Sequence, residues 1–327
     1  MMNTDYFWFA LFMTRGIGPK ALCSIARVIE KNNIRISDIP SDSKKLAEQH
    51  PELWKKLDGK IDFEEQNDLY SRFESLTDED VFMIHPGLSF YPEGLLELSE
   101  RFSISPVLFG RGEKSLLSST GVAIVGARSV SEKGLEITGE IASGLAGAGM
   151  NVVSGYAKGV DSKAHFAALD AEGTTTIVLS EGIKEFRVKK ELGEFRWDRD
   201  VLVVSQFQPD SPWMARSAMM RNKLTCALSR AVIVVESGPE KDERGKMSGT
   251  FNTARTALEM NLPLFVVSPS SLDKPPPGNQ TLIDIGAIEL NPPDYTDVVI
   301  SNIESNKNPG VSAVKDKKST QTMLFQD

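Results

Sequence analysis

Two segments of the sequence combine glycine with a nearby cation directly after an apolar run. The first, Gly126-Ala127-Arg128, follows the run at 122–125, and the second, Ser154-Gly155 with Lys158, begins at the last residue of the run at 151–154. Glycine lets the main chain approach a ligand closely, and main-chain N–H groups at the start of a helix attract anions. Both segments are therefore predicted to hold phosphate, with Arg128 and Lys158 as the cations beside it.

A candidate helix N-cap follows each segment. Ser131 stands after the first segment and Asp161 after the second, and both residue types commonly cap helices. Gly126 supplies only one of the three glycines of the GxGxxG fingerprint, and no acidic residue closes the second strand, so a dinucleotide site is disfavoured. The alternative interpretation of Gly126 is a tight turn without a ligand.

Two more polar clusters lie farther along the chain. Met220-Arg221-Asn222-Lys223 lies in a helical stretch, where its cations and amide could contact phosphates or base edges or could form a solvated helix face. Ser248-Gly249-Thr250 and Thr253 open the next helix with hydroxyl groups at its N-terminus. This second cluster predicts another anion-binding helix start.

Three ring side chains accompany the second segment. His165 lies one turn beyond Asp161, and a lone helical histidine is more often a hydrogen-bonded packing residue than a ligand or a catalyst. Tyr156 and Phe166 are candidates for stacking on a nucleic acid base. No residue is assigned a catalytic role.

Short apolar runs that alternate with helical stretches must position these side chains. The runs cover 122–125, 151–154, 175–180, 201–205, 231–237 and 262–269, and the helical stretches cover 131–149, 161–172, 216–229 and 250–260. Strands that are apolar on both faces and separated by helices indicate a doubly wound parallel sheet. We therefore predict an α/β fold with an extended Rossmann-like core over residues 115–300.

The chain before this core predicts a small helical domain and a connector. Helical periodicity extends over residues 5–75, within a helical domain predicted at 1–78. It is broken at Gly16-Ile17-Gly18-Pro19, which resembles the turn of a helix-hairpin-helix unit. Such a turn can meet a nucleic acid backbone or serve only for packing. Residues 79–114 are expected to form an extended connector with a short strand at 107–109.

The end of the sequence predicts a flexible tail with a linear motif. Residues 305–322 are rich in Lys, Ser and Asn, a composition typical of disordered segments, so residues 301–327 are predicted to form a disordered tail. Gln321, Leu324 and Phe325 within it resemble the pentapeptide that binds the bacterial sliding clamp, although Thr322 stands where leucine is preferred. A sliding clamp is therefore a candidate partner of the tail.

Composition excludes several classes of protein. The chain has 327 residues, 40% of them hydrophobic and 25% charged, and a formal net charge of −8, which favours a globular protein and disfavours purely electrostatic DNA binding. Cys23 and Cys226 lack the spacing of a disulfide framework or a zinc site, so a reducing cytoplasm is expected. The apolar run at 6–13 is too short to span a membrane, and no membrane association is predicted.

Several motifs in a fixed order resemble the DprA/Smf (DNA-processing protein A) family. In chain order they are VAIVGARSVSEKG, SGYAKGVDSKAHFAAL, SEGI, LVVSQFQPDSPW, MRNKLTCALSRAVIVVES, SGTFNTARTALE and GNQTLIDIGA. YPEGLLEL and PVLFGRGEKSLL precede them, so that the resemblance covers residues 85–290. No single motif is decisive, but their order is specific.

The resemblance implies a single-stranded DNA-binding protein rather than an enzyme. Such a protein protects DNA and helps to load RecA recombinase during DNA uptake, recombination or a related defence process, commonly as a homodimer and without a cofactor or metal. Carried over by position, the DNA-contacting residues are Arg128, Ser154, Gly155, Lys158, Arg221 and Asn222. The chain departs from the family pattern at Gln206, where an acidic residue is usual, and at Met220 and Lys223, which replace arginines.

Two enzyme classes are weighed against this interpretation. Nucleotide hydrolases of the lysine-decarboxylase-like group use a similar core, with a PGGxGT loop and a nearby glutamate. This chain has only Ser248-Gly249-Thr250, with Glu259 farther on. A nicotinamide-dependent oxidoreductase needs the three-glycine fingerprint and a proton-transfer residue, neither of which is visible in the sequence.

Overall fold

The N-terminal part of the protein is helical in the computed structural model, which describes residues 2–57, 59–61, 63, 67–190, 195–245 and 247–305. Its helices are α1 (Thr4–Met13), α2 (Pro19–Lys31), α3 (Ser43–Gln49), α4 (Pro51–Leu57) and α5 (Asn67–Asp78). The apolar side chains of α1 are buried, among them Phe7, Trp8 and Phe9. Among the described residues, no helix combines the length and the apolar character needed to cross a bilayer.

The rest of the described chain forms one sheet with helices on both faces. The strands are β1 (Phe82–Ile84), β2 (Leu108–Gly112), β3 (Gly121–Val125), β4 (Asn151–Ser154), β5 (Thr175–Val178), β6 (Val201–Ser205), β7 (Ala231–Val234), β8 (Leu264–Val267) and β9 (Ile288–Leu290). The helices are α6 (Leu95–Phe102), α7 (Glu132–Gly147), α8 (Val160–Asp170), α9 (Ala215–Ala227), α10 (Gly249–Glu259), α11 (Pro277–Asp284) and α12 (Tyr295–Ser305).

The strand order confirms the predicted doubly wound fold. The described sheet runs β1-β2-β6-β5-β4-β3-β7-β8-β9, and every neighbouring pair from β6 to β9 is parallel. Side chains alternate between the two faces of a strand, so Val122 and Ile124 pack with α7 and α8, whereas Ala123 and Val125 pack with α9 and α10. The chain reverses its winding between β3 and β7, which places a ligand crevice at the carboxyl ends of these strands.

The predicted connector at 79–114 contains more structure than a single short strand. β1 and β2 pair antiparallel, and β2 also pairs antiparallel with β6, so that the sheet is mixed at this edge. A Cβ at Gly110 would overlap the ring of Phe82, its partner on the neighbouring strand, and glycine therefore lets this ring lie over β2. Gly110 and Gly112 in the predicted connector are thus part of a strand.

One boundary also differs from the sequence predictions. Helix α12 continues to Ser305, past the predicted end of the core at residue 300, because Tyr295 and Val299 bury against the face of the sheet that α7 covers. The helical part shares a core with the sheet, since the rings of Phe12 and Phe109 lie 5.1 Å apart between centroids. Gln321, Leu324 and Phe325 lie outside the described residues.

Candidate nucleic-acid interface

The first predicted loop connects β3 to α7 and presents Arg128 to solvent. The main-chain N–H of Ala127 is not free, because it donates to the carbonyl oxygen of Glu236 at 2.9 Å. Ser131 caps α7 as predicted, and its hydroxyl accepts a hydrogen bond from the N–H of Gly134 at 3.0 Å. Arg128 is therefore the charged side chain that this loop offers to a ligand.

A carboxylate of the protein itself occupies the start of α7. Glu236 follows β7, and both its oxygens lie 3.2 Å from the main-chain N–H of Ser131 while one also accepts from the Ser131 hydroxyl. A Cβ at Gly134 would overlap this carboxylate, so glycine is needed there. The helix start that the sequence predicts as a phosphate seat is thus filled by Glu236.

The second loop connects β4 to α8 and packs directly against the first. Gly159 has a φ of +81°, and a Cβ at this position would overlap the carbonyl oxygens of the first loop. A Cβ at Gly155 would overlap the guanidinium of Arg221 on α9. Glycine is therefore required at both points of contact, and Lys158 between them is exposed.

Ser154 and His165 hold the second loop from inside the fold. The Ser154 hydroxyl donates to the carbonyl oxygen of Ile124 at 2.6 Å. Nδ1 of the buried His165 ring lies 2.6 Å from the Thr175 hydroxyl, and Nε2 lies 2.6 Å from the carbonyl oxygen of Gly155. Burial lowers the pKa of His165 to about 4, so the ring is neutral at pH 7. Nε2 carries the proton, because a carbonyl oxygen can only accept a hydrogen bond.

Asp161 does not cap α8, contrary to the sequence prediction. The helix begins at Val160, and Gly159 is its N-cap. The Asp161 carboxylate instead accepts a hydrogen bond from the N–H of Ala157 at 3.3 Å, inside the loop. Burial raises the pKa of Asp161, and the positive charge of Arg221 opposes that shift. Asp161 thus stabilises the second loop through a buried hydrogen bond.

Arg221 is a buried cation beneath the second loop. Its side-chain Nη1 donates to the carbonyl oxygen of Val178 at 2.9 Å, whereas its Nε has no hydrogen-bond acceptor in the part of the chain that the structure describes. Burial lowers the pKa of Arg221, and the negative charges of Asp161 and Glu181 oppose this shift. A buried donor without an acceptor costs about 1–3 kcal/mol. The site therefore gains if a ligand supplies an acceptor.

Two adjoining cavities open over these loops at the carboxyl ends of the strands. The first, of about 350 Å³, lies between both loops and the starts of α9 and α10, and the second, of about 410 Å³, lies beside Lys158 and Glu181. Arg128, Arg221 and Trp213 line both cavities. The Trp213 side chain is 53% exposed. We call this pair the sheet-edge cavities; they bring three cations and an open indole face together.

The cluster at the start of α10 lines the first cavity but is largely occupied with its own hydrogen bonds. Ser248 caps the helix by accepting from the N–H of Phe251 at 3.3 Å. The Thr253 hydroxyl and the Asn222 amide donate to the carbonyl oxygen of Gly249 at 3.0 Å and 3.1 Å. These contacts fix α9 against α10 and so position Arg221.

Lys223 lies apart from the other predicted site residues. Its Nζ donates to the carbonyl oxygen of Phe102 at the end of α6, at 3.0 Å, and Lys223 lines neither sheet-edge cavity. Successive helix residues are about 100° apart. Arg221 and Lys223 therefore point to different sides of α9, and a run of cations in a helix does not form one site.

Trp213 is the functional candidate that sequence reasoning missed. It lies just before α9 in the segment QPDSPW, where no periodicity marks it. The one signal in the sequence is a tryptophan in a segment rich in proline and polar residues, where a large apolar side chain is uncommon. Tyr156, the predicted stacking residue, is covered instead: its ring packs 5.1 Å from Phe186, and the Lys189 ammonium lies 4.1 Å above it. Phe166 is partly buried and packs against the core.

The described residues show no sign of metal or thiol chemistry. No group of three or more His, Cys, Asp or Glu side chains in this part of the chain could hold a metal ion. Cys23 and Cys226 are free and buried. Burial raises the pKa of both thiols to about 12, so neither forms a thiolate near pH 7.

Comparison with known proteins identifies relatives for most of the chain. The sequence model of the DNA recombination-mediator protein A family matches residues 82–299. DNA processing protein DprA of Streptococcus pneumoniae is 34% identical over 194 residues, which are 58% of this chain and 65% of that protein. Protein Smf of Escherichia coli is 32% identical over 208 residues, 63% of this chain and 53% of that protein. The match thus spans between half and two thirds of these relatives.

Solved structures agree with this family assignment. The crystal structure of DprA from Streptococcus pneumoniae is 26% identical, with a TM-score of 0.68 over 92% of this chain and 98% of that chain. DNA processing protein A from Helicobacter pylori, also 26% identical, has a TM-score of 0.54 over 68% of this chain and 96% of that chain. The Helicobacter structure was determined to explain a single-stranded DNA binding mode.

Proposed function

The chain belongs to the DNA recombination-mediator protein A family, and on that basis we propose that it binds single-stranded DNA in the sheet-edge cavities. The observation that carries the proposal is the meeting of Arg128, Lys158 and Arg221 beside the exposed indole of Trp213. Clustered cations attract phosphates, and an exposed aromatic ring stacks on a base whose face is free. The DNA-binding relative from Helicobacter pylori supports the same ligand.

The arrangement favours a DNA strand over a dinucleotide. A dinucleotide fold holds its pyrophosphate at the N-terminus of the helix after the first strand. Here Glu236 occupies that position, and a phosphate placed there would meet a carboxylate. Phosphates are instead attracted to the side chains of Arg128 and Lys158, which lie at the rim rather than at the helix start.

We assign the side chains two kinds of role. Arg128 and Lys158 bind phosphates, Arg221 supplies a buried positive charge, and Trp213 stacks on a base. Ser154 and Asp161 act as positioning residues. The Ser154 hydroxyl donates to the neighbouring strand, and Asp161, which also lines the first cavity, accepts from the N–H of Ala157 in the second loop. Gly155 makes room for the Arg221 guanidinium.

The wider role that we propose is protection of single-stranded DNA and assistance in RecA loading, as a homodimer and without catalysis. The family description as a recombination mediator supports it. The buried free thiols Cys23 and Cys226 are compatible with a reducing cytoplasm. Binding of a sliding clamp by Gln321, Leu324 and Phe325 stays a proposal from the sequence.

A binding titration across salt concentrations tests the DNA interface. A labelled oligodeoxythymidine and a duplex of the same length are titrated by fluorescence anisotropy, with free nucleotides as competitors. We expect the single strand to bind more tightly. Arg128→Ala and Lys158→Ala should each weaken binding and reduce the slope of log affinity against log salt by about one. Unchanged affinity and slope in both variants would contradict the proposal.

Arg230→Ala is the matched control for Arg128→Ala. Arg230 is exposed, and its N–H donates to the carbonyl oxygen of Gly121 at the amino-terminal edge of the sheet, opposite the cavities. Its removal changes the net charge equally but should leave the binding curve unchanged. Release of a free base from nucleoside monophosphates would show that the protein is a hydrolase and would overturn the non-catalytic role.

A further inference from the structure

A third cavity lies on the opposite face of α9 from the sheet-edge cavities. It has a volume of about 500 Å³ and is lined chiefly by Phe12, Ile17, Phe207, Met214, Arg216 and Met220. It therefore joins the helical part, the loop after β6 and the first turns of α9. We call it the α9 groove.

The first two turns of α9 separate the groove from the DNA cavities. Ala215, Ala218 and Met219 line the first sheet-edge cavity, whereas Arg216 and Met220 line the groove. At about 100° per residue these two sets lie on opposite sides of the helix. Trp213 lines the sheet-edge cavities and the adjacent Met214 lines the groove, so these two residues form a crest between the two sites.

The crest and the groove expose apolar side chains in an unusual concentration. Trp213, Met214 and Met220 are 53%, 37% and 42% exposed, and they account for three of the eight large hydrophobic side chains that are exposed in the described residues. Scattered exposed apolar residues need no explanation, but a contiguous group marks a binding surface. Methionine side chains are flexible and polarizable, and aromatic rings stack on bases without regard to sequence.

The charge around the groove suits a polyanion. Arg216 is the charged residue among the described residues that line it, and Arg15 and Lys20 are exposed on either side of the turn that contributes Ile17. A larger cavity of about 730 Å³ beside α2 differs, because glutamates line it. In a chain with a net charge of −8, an apolar groove whose charged lining residue, in the part of the chain that the structure describes, is an arginine suits nucleic acid.

We propose that single-stranded DNA continues from the sheet-edge cavities over the crest into the α9 groove. Bases lie against Met214, Met220 and Phe207, and a phosphate pairs with Arg216. This inference rests on the proposed function of the sheet-edge cavities. A helix with its side chains is about 10 Å across, and phosphates of one strand are about 3.4 Å apart along a duplex, so at this spacing the crossing takes about three nucleotides.

A length series of oligodeoxythymidines tests the path. Wild-type affinity should rise with length until the strand reaches the groove. Met220→Glu places a negative charge on the groove face, so it should bind short oligonucleotides as the wild type does and lose about tenfold for long ones, the size of one lost base contact. Val298→Glu is the matched control, because Val298 is a helix residue that is 39% exposed. Arg216→Ala is a second variant that leaves the apolar surface intact.

Photocrosslinking locates the strand independently of affinity. Oligonucleotides with a terminal 5-iodouracil should crosslink to the peptide that contains Phe207, which lines the groove and neither sheet-edge cavity, only when they exceed the crossing length. If affinity depended on length equally in Met220→Glu and wild type and this crosslink were absent, DNA binding in the α9 groove would be refuted. Binding in the sheet-edge cavities would be unaffected by that result. A wild type that binds no single-stranded DNA would instead refute the proposed function.

The same variants distinguish single-stranded DNA from a protein as the ligand of the α9 groove. If Met220→Glu left the DNA length dependence unchanged but abolished co-sedimentation with RecA, the groove would be a protein-docking surface and the DNA path would be wrong. Loss of long-oligonucleotide affinity together with the crosslink at Phe207 supports the path. Circular dichroism of Met220→Glu and Val298→Glu confirms that both variants are folded when the comparison is made.

Discussion

Two strand-to-helix loops that look alike in the sequence handle charge in opposite ways. At the start of α7, the carboxylate of Glu236 satisfies the N–H and hydroxyl of Ser131, so this loop is closed by an anion of the protein. In the loop before α8, Gly155 leaves space for the guanidinium of Arg221. The Nε of Arg221 has no hydrogen-bond acceptor among the described residues. A glycine-rich loop after a strand therefore does not reveal by itself whether it receives an anion or a cation.

The largest expected effect comes from closing the space at Gly155. In Gly155→Ala the new methyl group overlaps the Arg221 guanidinium, and overpacking of this kind lowers the free energy of unfolding by about 3 kcal/mol. DNA binding should fall with it, because Arg221 is displaced from both cavities. Urea denaturation and the anisotropy titration measure the two effects.

A double-mutant cycle shows whether Arg221 causes this loss. In an Arg221→Ala background the methyl group meets no guanidinium, so Gly155→Ala should cost much less stability there. An equal cost in both backgrounds would refute the contact. Gly147→Ala is the control, because a Cβ at Gly147 has nothing within 4 Å and should leave stability unchanged or slightly raised.

The second loop should also respond to acid through His165. The pKa of His165 is lowered from its ordinary 6.5 to about 4 by burial, so the unfolded chain binds more protons between these values. Stability is then complete above pH 6.5 and falls by about 3 kcal/mol as the pH drops towards 4. Denaturation midpoints measured across this range check the slope.

His165→Gln isolates the histidine contribution. Asp161 also titrates inside this loop, and its raised pKa acts with the opposite sign, adding stability as the pH falls. The difference between wild type and His165→Gln cancels the Asp161 term. A variant that kept the full acid-dependent loss of the wild type would show that the loss arises elsewhere in the protein.

Removing Glu236 should make the first loop behave as an anion site. Glu236→Ala deprives Ser131 of a charged acceptor and should cost about 2 kcal/mol of stability. Inorganic phosphate should then raise the melting temperature of the variant by binding at the exposed helix start, with little effect on the wild type. Differential scanning calorimetry across phosphate concentrations measures this.

Glu132→Ala serves as the control for Glu236→Ala. Glu132 is an exposed acidic residue in the first turn of the same helix, so its removal changes the charge near α7 without opening the N-terminus. A phosphate response as small as that of Glu132→Ala would show that Glu236 does not close an anion seat. The first loop would then not differ from the second in being closed by a carboxylate of the protein.

The contrast between the loops sets the limit of sequence prediction here. The apolar runs predicted the parallel strands, and parallel strands necessarily bring Gly126-Ala127-Arg128 and Ser154-Gly155 to one edge. The partners that fill each loop come from strands and helices distant in the chain. Glu236 reaches α7 only because β7 lies beside β3, and that neighbour relation is a property of the strand order rather than of any local pattern.

Helix phase and burial account for the other misses. Lys223 and Arg221 are close in the sequence, which predicts one site for both. The Nζ of Lys223 instead reaches the end of α6 and not the cavities. Asp161 was predicted as an N-cap from its residue type, whereas a glycine with positive φ takes that position because the first loop lies against it. Trp213 lies in a segment without periodicity, so only the fold brings it to both cavities.

Replacing Trp213 should have the smallest effect on stability, and it shows whether the indole stacks on a base or orients the cations. Trp213 is 53% exposed, so Trp213→Ala should change the free energy of unfolding by less than about 0.5 kcal/mol. Affinity for single-stranded DNA should fall about tenfold, with the salt slope unchanged because no phosphate contact is lost. Trp213→Phe keeps a ring and should recover most of the affinity. If Trp213→Ala instead lowered the salt slope as Arg128→Ala does, the indole would be orienting the cations rather than binding a base.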